Sequence, residues 1–197
     1  MRDYYDGLML NRQRLFWAIA TRRQLARWEP LVARHVRELL FRKREFPGAD
    51  IWLAEMEHHF ALVAARHLLT ALELDPPSTV AIDQTMRAEI IEGRDLHEHW
   101  LENLPLFNVR PRRTEPRHRS AKDFAKRHPD RGPYSWLTWN GEEGALLMPN
   151  VPALALHELL DAVQAEVIAS DPDMEPFVPE PTASPWVLDR GQWWPKP

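Results

Sequence analysis

The chain has 197 residues, 44% of them hydrophobic, with no cysteine and a formal net charge of −4. That is enough apolar chain for one medium domain with its own core, and it excludes disulfides, zinc–thiolate centres and thiol nucleophiles. The opening MRDYYDGLMLNR does not read as a secretory leader, and no apolar run approaches the roughly 18 residues of a membrane span, so the expectation is a cytoplasmic protein with no membrane contact.

Charge alternates along the chain. Residues 1–47 hold 11 Lys/Arg against 5 Asp/Glu, and residues 48–109 hold 3 against 11. Residues 110–131 hold 9 against 3, and residues 132–197 hold 2 against 10. Two basic blocks therefore bracket an acidic region. Such blocks attract phosphate backbones or simply form solvated faces.

In chain order, the spacing of Leu8, Leu15, Ile19, Trp28, Leu31, Leu39 and Leu40 predicts a helix over 8–43, with Pro30 kinking it or starting a second segment. FPGAD at 46–50 is a break, and Asp50 can cap the next helix. Residues 51–74 form the strongest helix pattern, with Leu53, Met56, Phe60 and Val63 as one stripe and many alanines beside it. Asp75-Pro76-Pro77 ends it. Ser78 or Thr79 can open a third helix running to about Leu104, ahead of Pro105.

Residues 105–133 carry five prolines and nine basic residues, which predicts a loop with one short helical turn near 120–127. In SWLTWN-GEEG-ALLM at 135–148, Asn140-Gly141 and Gly144 flank a short link between apolar runs, a hairpin signal. Residues 151–169 predict a further amphipathic helix with Pro152 near its first turn. From Asp171 onward there are seven prolines in 27 residues, which argues against a helix or an inner strand. The tail's Trp186, Trp193 and Trp194 suit packing on the body or on a partner. The expected fold is mainly all-α. It is a bundle of four to five helices over residues 1–170, with its motif-bearing part at about 50–169, a small β-hairpin before the last helix and an extended Pro/Trp-rich tail over 171–197.

The chemistry concentrates in EGRDLHEHW at 92–100. On an ideal helix His97 lies near the direction of Met86, Ile90 and Leu104, so it faces the core, while Arg94 flanks that face and Asp95 and His99 point away. Without a function, Arg94 would snorkel to a carboxylate and His99 would sit at the negative end of the helix dipole. With one, Arg94, Asp95 and His99 form the pattern arginine, polar residue, three residues, histidine. This pattern, near the end of a helix in an α-helical bundle, resembles the HEPN family, whose motif is R, then N, D or H, then three residues, then H. The motif match covers Arg94 to His99, and the helix layout agrees over about residues 50–169.

The resemblance implies a metal-independent endoribonuclease with no cofactor, working as a homodimer whose two motif helices form one cleft. Arg94 would hold the scissile phosphate and stabilise its developing charge. His99 would act as general acid or base on the 2′-hydroxyl or the leaving oxygen, and Asp95 would orient His99 or Arg94. RNA is the implied substrate, and Arg110, Arg112, Arg113, Arg117 and Arg119 of the second basic block would help to hold the strand. A toxin or defence effector, paired with an antitoxin or other protein partner, fits this chemistry. Arg94 and His99 point about 140° apart on an ideal helix, so a shared site needs a distorted helix end, a long arginine reach or the second protomer.

Two other readings compete. Glu55-x-x-His58 matches half of a di-iron pattern, but Arg94 stands where the other half would need a carboxylate ahead of His97. A mononuclear site from His58 or His59 with His97 and His157 is the remaining metal option. A non-catalytic helical interaction domain, docking through the tryptophans of its tail, is the second alternative. No phosphate-binding glycine loop and no G-x-S-x-G nucleophile elbow occurs.

Overall fold

The computed structural model describes residues 2–38, 40, 48–74, 77–98, 126, 138–178 and 183–196. Its helices are α1 (Arg2–Arg37), α2 (Gly48–Glu73), α3 (Gln84–Glu98) and α4 (Ala153–Ser170), with a 3-10 helix at Pro172–Phe177. Before α4 come β1 (Thr138–Asn140), β2 (Gly144–Met148) and β3 (Val151–Pro152), and near the C-terminal end come β4 (Trp186–Asp189) and β5 (Gln192–Pro195). The protein is mainly α-helical, as the sequence pattern implies.

Antiparallel packing orders the helices. Trp17 of α1 stacks on His67 of α2 with ring centres 4.3 Å apart, and Trp28 further along α1 lies against His58 earlier in α2. Arg87 Nε near the start of α3 donates to Glu73 at the end of α2 at 2.5 Å. Against α4, Asn11 Nδ2 reaches Ser170 Oγ at 3.1 Å, Arg22 Nη2 reaches Asp161 Oδ1 at 2.5 Å, and His157 Nε2 reaches Glu29 Oε1 at 2.5 Å. Positions rise on α1 as they fall on α4, so these two helices also run antiparallel.

One core joins all of this. Leu25, Trp28 and Val32 of α1, Leu62, Leu68 and Leu69 of α2, Ile90 and Leu96 of α3, Leu147 of β2, and Leu156, Leu160 and Val163 of α4 are buried in it. Pro30 does not break α1. It lies on the exposed side and gives up a backbone bond to the carbonyl of Ala26, but Trp28, Val32 and Ala33 around it are fully or almost fully buried, and that packing holds the helical path across it.

On α2, the stripe read from the sequence points outward. Leu53, Met56 and Phe60 are exposed, while Ala54, His58, Ala61, Leu62, Ala65, Leu68, Leu69 and Leu72 are buried. Apolar residues occupy nearly the whole circumference of this helix, so spacing alone cannot select the inner face. The alanine-rich face does better in packing, because small side chains let α1 approach closely.

The third helix starts later than Ser78 or Thr79. Asp83 caps it, its Oδ1 accepting from the Met86 N–H at 2.8 Å. Ser78 and Thr79 are committed elsewhere. Ser78 Oγ donates to Glu166 Oε2 at 2.5 Å, and the N–H and hydroxyl of Thr79 donate to Glu166 Oε1 at 2.6 and 2.7 Å.

The first hairpin follows its signal. Thr138 pairs with Leu146, Trp139 with Ala145 and Asn140 with Gly144, leaving Gly141-Glu142-Glu143 as the link. Asn140 Oδ1 accepts from the Glu143 N–H at 2.6 Å, and Gly144 has φ +77°, a value that favours glycine. The tail carries more structure than its prolines suggest. β4 and β5 form a second antiparallel hairpin, turning at Arg190 and Gly191, both of positive φ, which is the two-residue turn matched to strand twist. Pro195 is tolerated because it ends a two-stranded ribbon, and Pro172 because it opens the 3-10 helix, where its missing N–H is not needed. Trp186 is buried in the main core, and the Trp193 N–H donates to the Gly141 carbonyl at 2.6 Å, fastening the second hairpin to the first. Among the described residues, no helix is long and apolar enough to cross a membrane.

Candidate functional site

The end of α3 is positioned by a glycine and a buried acid. A Cβ at Gly93 would lie 2.5 Å from Met148 Sδ and 3.2 Å from Leu62 Cδ1, so any larger residue there would make those side chains give way before α3 could sit this close to β2 and α2. One turn earlier, the buried Glu89 accepts from the Asn150 N–H at 2.9 Å and also from the Asn150 side-chain amide, tying α3 to the turn after β2.

Arg94 follows directly. Its Nη1 donates to Asp95 Oδ1 at 3.1 Å, and both side chains are roughly one-third exposed, at 37% and 35%. The structure therefore brings two of the three motif residues together at the solvent boundary of α3. His99 lies outside the described residues, as do Arg110, Arg112, Arg113, Arg117 and Arg119. The side chain of His97 does too.

Two of the histidines weighed as metal ligands, His58 and His157, have other work. His58 is fully buried, and its Nε2–H donates to the Leu147 carbonyl at 2.6 Å. Burial is the main force pulling its pKa down to about 4, with the Leu147 bond opposing and His59 adding to the fall. It is a neutral core residue. His157 is held by Glu29. Among the described residues, no group of three or more potential ligands is placed to hold a metal.

Sequence reading missed one feature. A cavity of about 240 Å³ opens between α1, the start of α4 and the two hairpins, and its walls include Arg22, Glu29, His157, Ser184, Trp186 and Trp193. Glu29 is only 4% exposed, and its carboxylate accepts from His157. A carboxylate that orients an imidazole is one half of an acid–base site. The other half does not follow, because Ser184 Oγ accepts from the Trp186 N–H at 3.2 Å and so serves the hairpin. No local signal could have found the pair, since its two residues stand 128 positions apart.

No family model, curated protein or solved structure matches this chain. Function therefore has to be argued from the residues themselves. Two sites compete: the Arg94–Asp95 end of α3, which offers a guanidinium at the solvent boundary, and the Glu29–His157 cavity, which offers a base and, among the described residues, no free nucleophile.

Proposed function

We propose that this protein is a HEPN-like, metal-independent endoribonuclease acting as a homodimer in the cytoplasm. The observation that carries the reading is the Arg94–Asp95 pair, about one-third exposed near the end of α3. Both residues fall within the six-residue motif that ends at His99. Asp95 Oδ1 accepts from the guanidinium at 3.1 Å, which supports a positioning role for Asp95. A guanidinium held this way presents its charge in a fixed geometry, which suits a phosphodiester passing through a more negative transition state. His99 supplies the proton transfer at the 2′-hydroxyl or the leaving oxygen, and Arg110, Arg112, Arg113, Arg117 and Arg119 hold the strand. A toxin or defence effector of this kind would be restrained by a protein partner.

The test is cleavage of labelled single-stranded RNA by purified protein in the presence of a chelator. Wild type should cut RNA but not the matching DNA, which lacks the 2′-hydroxyl. Arg94→Ala and His99→Ala should each abolish cutting with unchanged circular dichroism. Cleavage that survives both substitutions, or that stops with the chelator, rejects the mechanism.

A further inference from the structure

The cavity beside Glu29 is built on one face of α1. Arg22 and Glu29 stand seven residues apart, about two turns, and both reach toward α4, Arg22 to Asp161 and Glu29 to His157. The facing elements offer small residues: Gly144 and Ala145 of β2, Ala153 at the start of α4, and Ala183 before β4. Short side chains there are what leave about 240 Å³ open. Trp186, buried, and Trp193, half-buried, supply two aromatic walls, and the exposed Pro30, Glu143 and Leu154 stand at the rim.

Charge decides what such a space takes. Arg22 is already neutralised, because its Nη2 donates to Asp161 Oδ1 at 2.5 Å and to Gln164 Oε1 at 3.0 Å. Glu29 is not. Its Oε1 accepts from His157 Nε2 at 2.5 Å, a bond that an uncharged imidazole can give. Among the described residues no donor stands on Oε2. Glu29 is only 4% exposed, so its carboxylate loses most of its hydration and needs a cation to offset that loss. Glu143 adds a second negative charge at the rim, and the Asn140 side-chain amide that donates to it at 2.7 Å carries none.

We infer that the cavity binds a small primary amine carrying one aromatic ring. The ammonium donates to Glu29 Oε2. The ring lies against Trp186 and Trp193, whose faces favour both a second ring and a nearby positive charge. Size sets the limit. An apolar cavity of about 150 Å³ holds benzene, so about 240 Å³ admits one ring and a short amine arm. The inference does not rest on the nuclease reading. The cavity is separate from the Arg94 site, and a chain that cuts no RNA would bind the amine equally.

Isothermal titration with 2-phenylethylamine tests it, at about pH 8, where a free imidazole is neutral and an alkylamine still charged. Wild type should bind with a Kd below about 1 mM. The uncharged 2-phenylethanol and the anionic 3-phenylpropionate, of similar size, should each bind at least about tenfold more weakly. Glu29→Gln keeps an acceptor for His157 and removes the charge, so it should weaken the amine by about tenfold or more and leave 2-phenylethanol unchanged. Ala26→Phe fills the cavity from α1 and should abolish binding, while Arg94→Ala should bind as wild type does. Thermal denaturation checks that each variant is folded, and the ligand series on wild type decides the matter even if Glu29→Gln is unstable. A wild-type chain that takes up no 2-phenylethylamine at millimolar concentration, one that takes 3-phenylpropionate as tightly, or a folded Glu29→Gln chain of undiminished affinity overturns the assignment.

Discussion

His58 of α2 donates from Nε2 to the carbonyl of Leu147 in β2 at 2.6 Å, inside a fully buried site. The bond satisfies a strand carbonyl that the core has cut off from water. It also fixes the neutral tautomer, since a carbonyl can only accept. With a folded-state pKa near 4 against an ordinary 6.5, desolvation being the main cause, the unfolded chain binds the proton more readily. Stability should therefore be whole above pH 6.5, fall as the pH drops below it, and stop falling on this account below about pH 4. Each pKa unit is worth ~1.4 kcal/mol, so the loss is on the order of 3 kcal/mol. Urea midpoints measured from pH 8 to pH 4 should show it, and a His58→Gln chain should show a flatter profile over the same window.

Glu166 of α4 predicts a second, more acidic transition. Burial alone would raise its carboxyl, but hydrogen bonds from the Ser78 hydroxyl and from the Thr79 hydroxyl and N–H, helped by the charge of Arg14, hold it below its ordinary 4.5. A depressed carboxylate contributes stability above 4.5 and loses it as the pH falls through the folded value. Glu166→Gln should cost about 1–2 kcal/mol at neutral pH, a modest figure because the site is only partly buried. It should also remove the part of the acid destabilisation that lies below pH 4.5 and leave the His58 part untouched.

Much of the layout could be read from the sequence because prolines and glycines punctuate it. Asp75-Pro76-Pro77, Asn140-Gly141 and Pro152 mark where α2 ends, where the first hairpin turns and where α4 begins. What could not be read depended on contacts between distant residues. The inner face of α2 was decided by the small side chains it offers to α1, and a helix apolar almost all round does not announce that choice. The use of Ser78 and Thr79 was decided by Glu166, 88 and 87 residues away. At the α3 site, the residue types were visible as a string. The dependence of the position of α3 on Gly93, set against Met148 and Leu62, was not.

That dependence gives a third prediction. Gly93→Ala places a methyl group against Met148 Sδ and Leu62 Cδ1, in space that Met148, 1% exposed, already fills. Overpacking of this kind typically costs about 1–3 kcal/mol. The Gly93→Ala chain should show a lower denaturation midpoint, and any RNA cleavage should fall even though Arg94, Asp95 and His99 are unchanged. A Gly93→Ala chain as stable as wild type would mean that Met148 swings aside and that α3 is not held by this contact.

The tail's attachment gives the fourth. Trp186 is 5% exposed within the main core, yet its indole Nε1 is buried with no hydrogen-bond partner among the described residues. Its contribution is therefore apolar burial, reduced by the cost of a stranded donor. Trp186→Ala removes the side chain and leaves a cavity, for an expected loss of about 3–5 kcal/mol. Trp186→Phe keeps most of the apolar contact and deletes the stranded N–H, so the two effects oppose each other and the net change should be about 1 kcal/mol or less. Chemical denaturation of both variants separates this account from one in which the tail merely rests on the surface. In that case Trp186→Ala would be as stable as wild type, and proteolysis would remove residues 183–196 without lowering the midpoint of what remains.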